Sequence, residues 1–359
     1  MRRVPGWPRA ILHVDMDAFY VNVHLLDHPE DAGIPLVVGG RPHQRGVVAS
    51  ASYEARAFGV RSAMPTGQAL QLCPELKIVG VNRQRVRDCS AQIMAILAEY
   101  GPLEQMSVDE AYIDLSQQPT PVRLCESIRQ RVKGETGLPA SVGLATSKLV
   151  AKVASDQNKP EGRTIVLPGG EAAFLAPLPA RVIWGIGPRT AERLAQLAIH
   201  TCGDLAGADL DLLRAAVGRH AEELQARARG MDQRAVIPDR GPAKSISAER
   251  TFDQDVRSAA VLQEQLALMC AQVGASLRAE NLVAHTVVVK FRWDDFTTFT
   301  RQKTVSAGIS TDDDLLRLAH AIWQEHWPPG QPTRLLGVAA AKLAAPAMQQ
   351  LTFNFDSES

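Results

Sequence analysis

The stretch HVDMDAFYVNV, residues 13–23, places two aspartates, Asp15 and Asp17, inside an apolar and aromatic run. Its alternation and then its aromatic turn predict a strand entering a helix. Carboxylates in such a setting are costly unless something positive or hydrogen-bonding meets them. A second acidic pair, Asp109-Glu110, lies in LEQMSVDEAYIDLS (103–116), which reads as two short strands around those residues. Neighbouring strand side chains point to opposite faces, so an adjacent Asp and Glu converge only where the chain turns. Three carboxylates gathered on neighbouring strands make a hard oxygen donor set of the kind Mg²⁺ takes. Two such ions about 3.5–4 Å apart would clamp the attacking and leaving oxygens of an in-line phosphoryl displacement. Taken singly, each acidic pair is weak, since a lone Asp-Glu is usually a solvated turn.

Composition sets the outer bounds. The 359 residues are 45% hydrophobic and 22% charged, which is ordinary globular text with room for more than one core. Lys+Arg and Asp+Glu are 39 each, so the net charge gives no sign of a nucleic-acid partner and any such reading must rest on local patches. Five scattered cysteines without a CxxC spacing favour a reducing, cytoplasmic setting over a disulfide framework or a zinc site. The N-terminus has no apolar run of signal-peptide type, and no stretch approaches the ~18–20 apolar residues of a membrane span. No internal repeat and no low-complexity tract interrupts the chain.

Further along, 34–40 and 46–60 read as strand, turn, strand and helix, and 64–76 as a short helix stopped by Pro74. Residues 85–100 form a strong amphipathic pattern closed by Gly101-Pro102, and a helix is expected over 121–134. A strand over 140–147 leads into a helix over 148–160, stopped by Pro160, and 162–170 completes an α/β block. Helical text dominates from Pro179 to Met231, and 237–244, with two prolines and a glycine, reads as a linker. The remainder alternates strand (245–253), helix (257–279), strand (285–293), strand (297–306), helix (311–327) and strand (333–344). That β-α-β-β-α-β order builds a four-stranded sheet backed by two helices.

The segments HVDMDAFY, YEARAFGVRSAMP, SVDEAYIDL, GLATSKLVAKVASDQNKPEG and GIGPRTAERL occur in this order. Together they closely resemble the DinB branch (DNA polymerase IV type) of the Y-family translesion DNA polymerases, over about residues 10–343. The resemblance implies an α+β multidomain fold of right-hand polymerase type. Its palm would take 1–18 and 83–166, small fingers 19–82, and a helical thumb with a helix-hairpin-helix 167–236. A linker (237–244), a little finger (245–344) and a tail (345–359) would follow. It implies an error-prone, template-directed nucleotidyltransferase that bypasses damaged bases without a proofreading exonuclease. Asp15, Asp109 and Glu110 would be the catalytic carboxylates and metal ligands, joined by the backbone carbonyl of Met16, around two Mg²⁺ ions, with Mn²⁺ as a substitute. Asp17 is not a ligand in that pattern and reads as structural.

By the same resemblance Phe19 lies near the deoxynucleoside triphosphate, and Tyr20 is the steric gate whose ring leaves no room for a 2′-hydroxyl. Taken alone, Tyr20 reads rather as a core aromatic. Tyr53 and Arg56, three apart on one helix face, and Lys159 would hold the triphosphate, the guanidinium through its planar fork and the ammonium as a point charge. Ser62, Ala63 and Met64 would roof the nascent base pair. In the hairpin, Gly185, Gly187 and Arg189 would meet a phosphate of primer-template DNA at a helix start. Lys244, Arg250, Lys290, Arg292, Arg301 and Lys303 would line the duplex backbone; Lys290 and Arg292 share one strand face, as do Arg301 and Lys303. Acidic neighbours such as Glu249 and Asp253 leave a solvated mixed face as the plain alternative. The tail segment QLTFNF, with Gln350, Leu351, Phe353 and Phe355, resembles a sliding-clamp-binding peptide, with aromatics replacing the usual leucines. A monomer with no membrane association is expected. Two other readings share parts of the pattern. A catalytically dead scaffold would lack the carboxylates, and a nucleotidyl cyclase with a related palm would not need the GIGPRT segment or a basic terminal sheet.

Overall fold

The computed structural model describes residues 7–239 and 241–346, which form two compact units. Residues 7–40 and 47–239 make one; residues 41–46 and 241–346 make the other. The first unit carries β1 (Ile11–Met16), β2 (Leu36–Gly39), β3 (Val48–Ala51), β4 (Lys77–Val79), β5 (Leu103–Gln105), β6 (Glu110–Asp114), β7 (Ala140–Ala145) and β8 (Arg163–Ile165). The second carries β9 (Ser245–Val256), β10 (Val283–Trp293), β11 (Thr298–Ile309) and β12 (Thr333–Ala344).

In the first unit the main sheet runs β5-β6-β1-β7-β8, with β1 antiparallel to both its neighbours and β7 parallel to β8. All six residues of β1 are buried, as expected of a central strand covered on both faces. Leu12, Val14 and Met16 face one core, where helices Arg83–Ala98 and Pro121–Thr136 contribute Ile93, Leu97, Ile128 and Val132. Asn82 caps the first of these helices and Pro121 starts the second. The alternate residues of β1, beginning with Ile11, face helix Lys148–Ser155, whose Leu149, Val150 and Val153 share a core with Tyr112 and the helical segment 171–228. Gly143 on β7 fixes how closely that helix lies: a Cβ there would come within 2.1 Å of the Ala151 carbonyl oxygen.

A separate three-stranded sheet, β3-β2-β4, packs Val37, Val48 and Ala51 against the short helices Tyr53–Ala57 and Thr66–Leu72. In the second unit, four antiparallel strands run β11-β10-β12-β9. Helices Ala259–Ala279 and Asp312–His326 cover one face through Leu266, Val273, Leu315 and Ile322. The expected α+β order is present, and β4 is a strand added to it. The helix expected over 148–160 is shorter and ends at Ser155. Residues 156–161 instead turn back to feed β8. All five cysteines are buried as free thiols. Among the described residues no helix is long and apolar enough to cross a membrane.

Candidate active site

The acidic residues gather where β1 ends. Asp15 is directly opposite Glu110 in the β1–β6 register, so their side chains share the sheet face that helix Lys148–Ser155 covers. Asp109 precedes β6. Its carbonyl accepts from the Met16 amide at 3.0 Å, which brings its backbone alongside Asp15. Its own carboxylate accepts from the Ser107 hydroxyl at 2.5 Å, and that hydroxyl in turn accepts from the Asp109 and Glu110 amides. The turn expected between the two strands is thus built by Ser107. Asp15 and Glu110 meet side chain to side chain, whereas Asp109 meets them through its backbone.

Two ammonium groups answer the carboxylates. Lys159 lies 2.7 Å from Asp15 and 2.9 Å from Asp156. Lys152, on helix Lys148–Ser155, lies 2.5 Å from Glu110 and 3.9 Å from Asp15. Burial pushes the Asp15 carboxyl well up against the pull of Lys159, and its hydrogen bond with Glu110 adds to the rise. Burial acts on Glu110 in the same sense, but the hydrogen bond from Asp15 and the Lys152 charge hold it down. Burial also opposes charging Lys159, and the Asp15 carboxylate outweighs it, raising that ammonium. One more group faces this site without a counter-charge: His13 is fully buried and stays neutral, its pKa lowered to about 3 by burial and by Lys152. Its Nδ1 is 2.8 Å from the Ser155 hydroxyl, and its Nε2 has no partner.

Asp17 is held quite differently. Its carboxylate accepts from the Ser141 hydroxyl at 2.9 and 3.0 Å, from the Glu161 amide at 2.8 Å and from the Tyr53 hydroxyl at 3.2 Å. It ties β1, β7 and the 156–161 turn together, a structural part. Tyr53 is thereby engaged; burial and then the Asp17 charge push its phenol up to about 12. The Arg56 guanidinium lies over the Tyr53 ring at 4.6 Å and donates to the Ala51 carbonyl. Phe19 is buried, and half-buried Tyr20 meets it edge-on at 5.9 Å, packed against both neighbouring cores. Ala63, at φ 66°, and Met64 exchange backbone hydrogen bonds with Val48, presenting Ser62 at the surface of the small sheet.

In the helical segment Gly185 adopts φ 102°, open to glycine, and Gly187 caps helix Pro188–Ala195, which carries exposed Arg189. Beside it Trp184 is 63% exposed, flanked by the guanidinium groups of Arg227 and Arg234.

The basic residues of the second unit do not form one stripe. Lys290 and Arg292 point to the open face of the sheet, where Lys290 pairs with Glu249 at 2.8 Å and Arg292 donates to Thr298. Arg301 and Lys303 sit directly opposite Val289 and Val287, which belong to the core, so they lie on the helix-covered face. Lys303 accordingly pairs with Glu325 of a covering helix at 3.2 Å. Arg250, opposite core residue Leu336, likewise reaches Gln265 of the other helix. Lys244 is exposed ahead of β9. Gln350, Leu351, Phe353 and Phe355 lie outside the described residues.

Comparison with known proteins gives the family. The family model described as impB/mucB/samB matches residues 14–156, and its C-terminal domain model matches 243–353. DNA polymerase IV of Halorhodospira halophila is 41% identical over 351 residues, covering 96% of this chain and 98% of its own. DNA polymerase IV of Methanoculleus marisnigri is 41% identical over 353 residues, with 96% and 98% covered. The chain belongs to the DNA polymerase IV branch of the Y-family of DNA polymerases. Among solved structures, a Y-family DNA polymerase chimera matches with a TM-score of 0.83 at 25% identity, covering 94% of this chain and 99% of that one. DinB from Sulfolobus solfataricus matches with a TM-score of 0.64 at 26% identity, covering 92% and 98%. Membership carries the activity class, a DNA-directed DNA polymerase of translesion synthesis.

The donor set also fits a divalent cation. Three carboxylates and the Met16 carbonyl offer only hard oxygens, and two lysine ammoniums already neutralise the side chains that meet. Among the described residues no three acidic, His or Cys side chains stand close enough to make a closed ligand cluster. The Asp109 carboxylate is turned to the Ser107 hydroxyl. Sequence reasoning assigned no part to Lys152, His13 or Ser141. For Lys152 a signal exists: it is the one ionic residue inside LVAKVAS, a run otherwise apolar enough to be buried.

Proposed function

We propose that this Y-family polymerase extends a primer 3′-end past damaged template bases by metal-assisted phosphoryl transfer, with loose checking of the base pair and no proofreading. Asp15, Asp109, Glu110 and the Met16 carbonyl would hold the ions, Mg²⁺ by preference, with Mn²⁺ able to substitute. Bound there, divalent cations supply charge stabilisation for in-line displacement at the α-phosphate. The chain's own groups do the rest. Lys159 and Arg56 orient the triphosphate with the Tyr53 hydroxyl, and all three must leave their present partners to do so. Tyr20 excludes a 2′-hydroxyl, and Phe19 packs beside it. Ser62, Ala63 and Met64 cover the base pair with little bulk, which tolerates distorted templates.

Gly185, Gly187 and Arg189 grip the DNA backbone, joined by Lys244, Lys290 and Arg292. The same proposal takes the palm to be built around the five-stranded sheet, the fingers around the three-stranded one, the thumb in the helical segment and the little finger in the second unit. The tail binds a sliding clamp, and the enzyme works as a cytoplasmic monomer. The observation that carries the reading is Asp15 opposite Glu110, with Asp109 bonded through its carbonyl to Met16. Primer extension with Mg²⁺ across undamaged and lesion-bearing templates is the test. Extension that vanishes in Asp109→Ala, with its DNA binding kept, supports the assignment. Extension that survives in that variant removes it.

A further inference from the structure

Lys152 is the cation that the sequence left without a task. Its helix cannot drift. Every other residue of Lys148–Ser155 is buried, and Gly143 leaves no space between the helix and β7. The Leu149 amide donates to Asp232 at 2.9 Å, Lys148 makes a buried ion pair with Glu104, and Ser155 bonds His13. From this fixed backbone a one-third exposed side chain reaches across to Glu110 at 2.5 Å and stops 3.9 Å from Asp15. Lys159 differs in that it arises from the 156–161 turn and divides its charge between Asp15 and Asp156.

We propose that Lys152 is a built-in counter-cation for Glu110, which an incoming divalent ion must displace, so that this lysine sets the affinity of the site for metal. The inference rests on the reading of Asp15, Asp109 and Glu110 as the metal-holding group. The physics is competition. An ammonium and a divalent ion on the same partly buried carboxylate repel strongly where the dielectric is below that of water. Without metal, Lys152 keeps two facing carboxyls from repelling each other; with metal, the same charge weakens binding. Lys152 is thus a positioning residue for Glu110.

The test uses the full chain without DNA or nucleotide and Mn²⁺ as the probe, with free Mn²⁺ counted by electron paramagnetic resonance. Lys152→Met is expected to lower the Mn²⁺ dissociation constant roughly tenfold, the scale of one partly screened charge interaction. Its melting temperature should fall without metal and rise more steeply with Mn²⁺ than that of the unsubstituted chain. Lys152→Arg, which keeps the charge, should bind Mn²⁺ nearly as the unsubstituted chain does. If the methionine variant does not fold, Lys152→Gln supplies the same measurement. Unchanged or weaker Mn²⁺ binding in a folded neutral variant overturns the proposal. Mn²⁺ binding untouched by Asp15→Asn overturns instead the metal-site reading on which it stands.

Discussion

Asp15 and Asp17 are two residues apart on one strand end, and the structure treats them in opposite ways. Asp17 spends its lone pairs on neutral donors from β7, the 156–161 turn and Tyr53, so it is fully engaged as an anchor. Asp15 meets Glu110 and Lys159 instead, groups that can be exchanged for a cation. Asp17→Asn would turn an amide toward the Glu161 N–H or the Ser141 hydroxyl and leave one donor unmet. Such a loss costs about 1–3 kcal/mol. A denaturant midpoint lowered at unchanged slope would show it, and Mn²⁺ affinity should stay within a small factor. Tyr20 belongs to this scale as well. Its ring is half-buried against two cores, so Tyr20→Ala is expected to loosen local packing modestly while raising ribonucleotide incorporation sharply. Single-nucleotide extension with paired ribo- and deoxynucleotides reads the ratio, and an unmoved ratio would return Tyr20 to the role of a core aromatic.

At the scale of the element, helix Lys148–Ser155 decides the site. It is capped by Ser147, receives a second acceptor from Asp232 at its Leu149 amide, and lies against Gly143. Gly143→Ala would force the helix outward, at a cost of about 1–3 kcal/mol. Because Lys152 rides on that helix, carrying it away from Glu110 should tighten Mn²⁺ binding in the folded variant; unchanged affinity would argue against this link. Asp232 adds a pH dependence. Burial raises its pKa, but Arg234 and the Leu149 amide outweigh it and hold the group below its ordinary value. Its contribution is therefore complete above the ordinary carboxylate range and is lost as pH falls through the lowered value. The stability gap to Asp232→Asn, measured by urea unfolding, should be widest at neutral pH and shrink under acid.

Much of this element was legible. The apolar run in 148–155 and the acidic strand ends follow from periodicity, whereas the helix expected to run on to Pro160 ends at Ser155. The partners were not. Asp232 lies 83 residues from Leu149, Glu104 lies 44 from Lys148, and His13 lies 142 from Ser155. Only packing brings such pairs together, and no local pattern encodes it. The Ser107 hydroxyl that turns Asp109 was within two residues of it, yet a serine beside an acid is too common to mark a site.

At the scale of the whole molecule, the polymerase must hold DNA with a chain of zero net charge, so the placement of its cations matters more than their number. Strand alternation grouped Lys290 with Arg292 and Arg301 with Lys303 correctly, but it could not say which face the helices cover. The β10–β11 register answers that: the first pair stands on the open face and the second on the covered one. No helix covers the first pair, although Lys290 is engaged with Glu249 and Arg292 with Thr298. Lys303 is engaged with Glu325, and Arg301 lies over the Phe299 ring. Each phosphate neutralised lowers the slope of log affinity against log salt by about 0.9. Neutralising Lys290 and Arg292 together, as Lys290→Gln with Arg292→Gln, should weaken primer-template binding at low salt and reduce that slope by up to about two. Arg301→Gln with Lys303→Gln should leave the slope nearly unchanged. Fluorescence anisotropy titrations across a salt series compare the two double variants. If both flatten the slope equally, the DNA engages the covered edge as well as the open face, and the division drawn from the strand register does not govern binding.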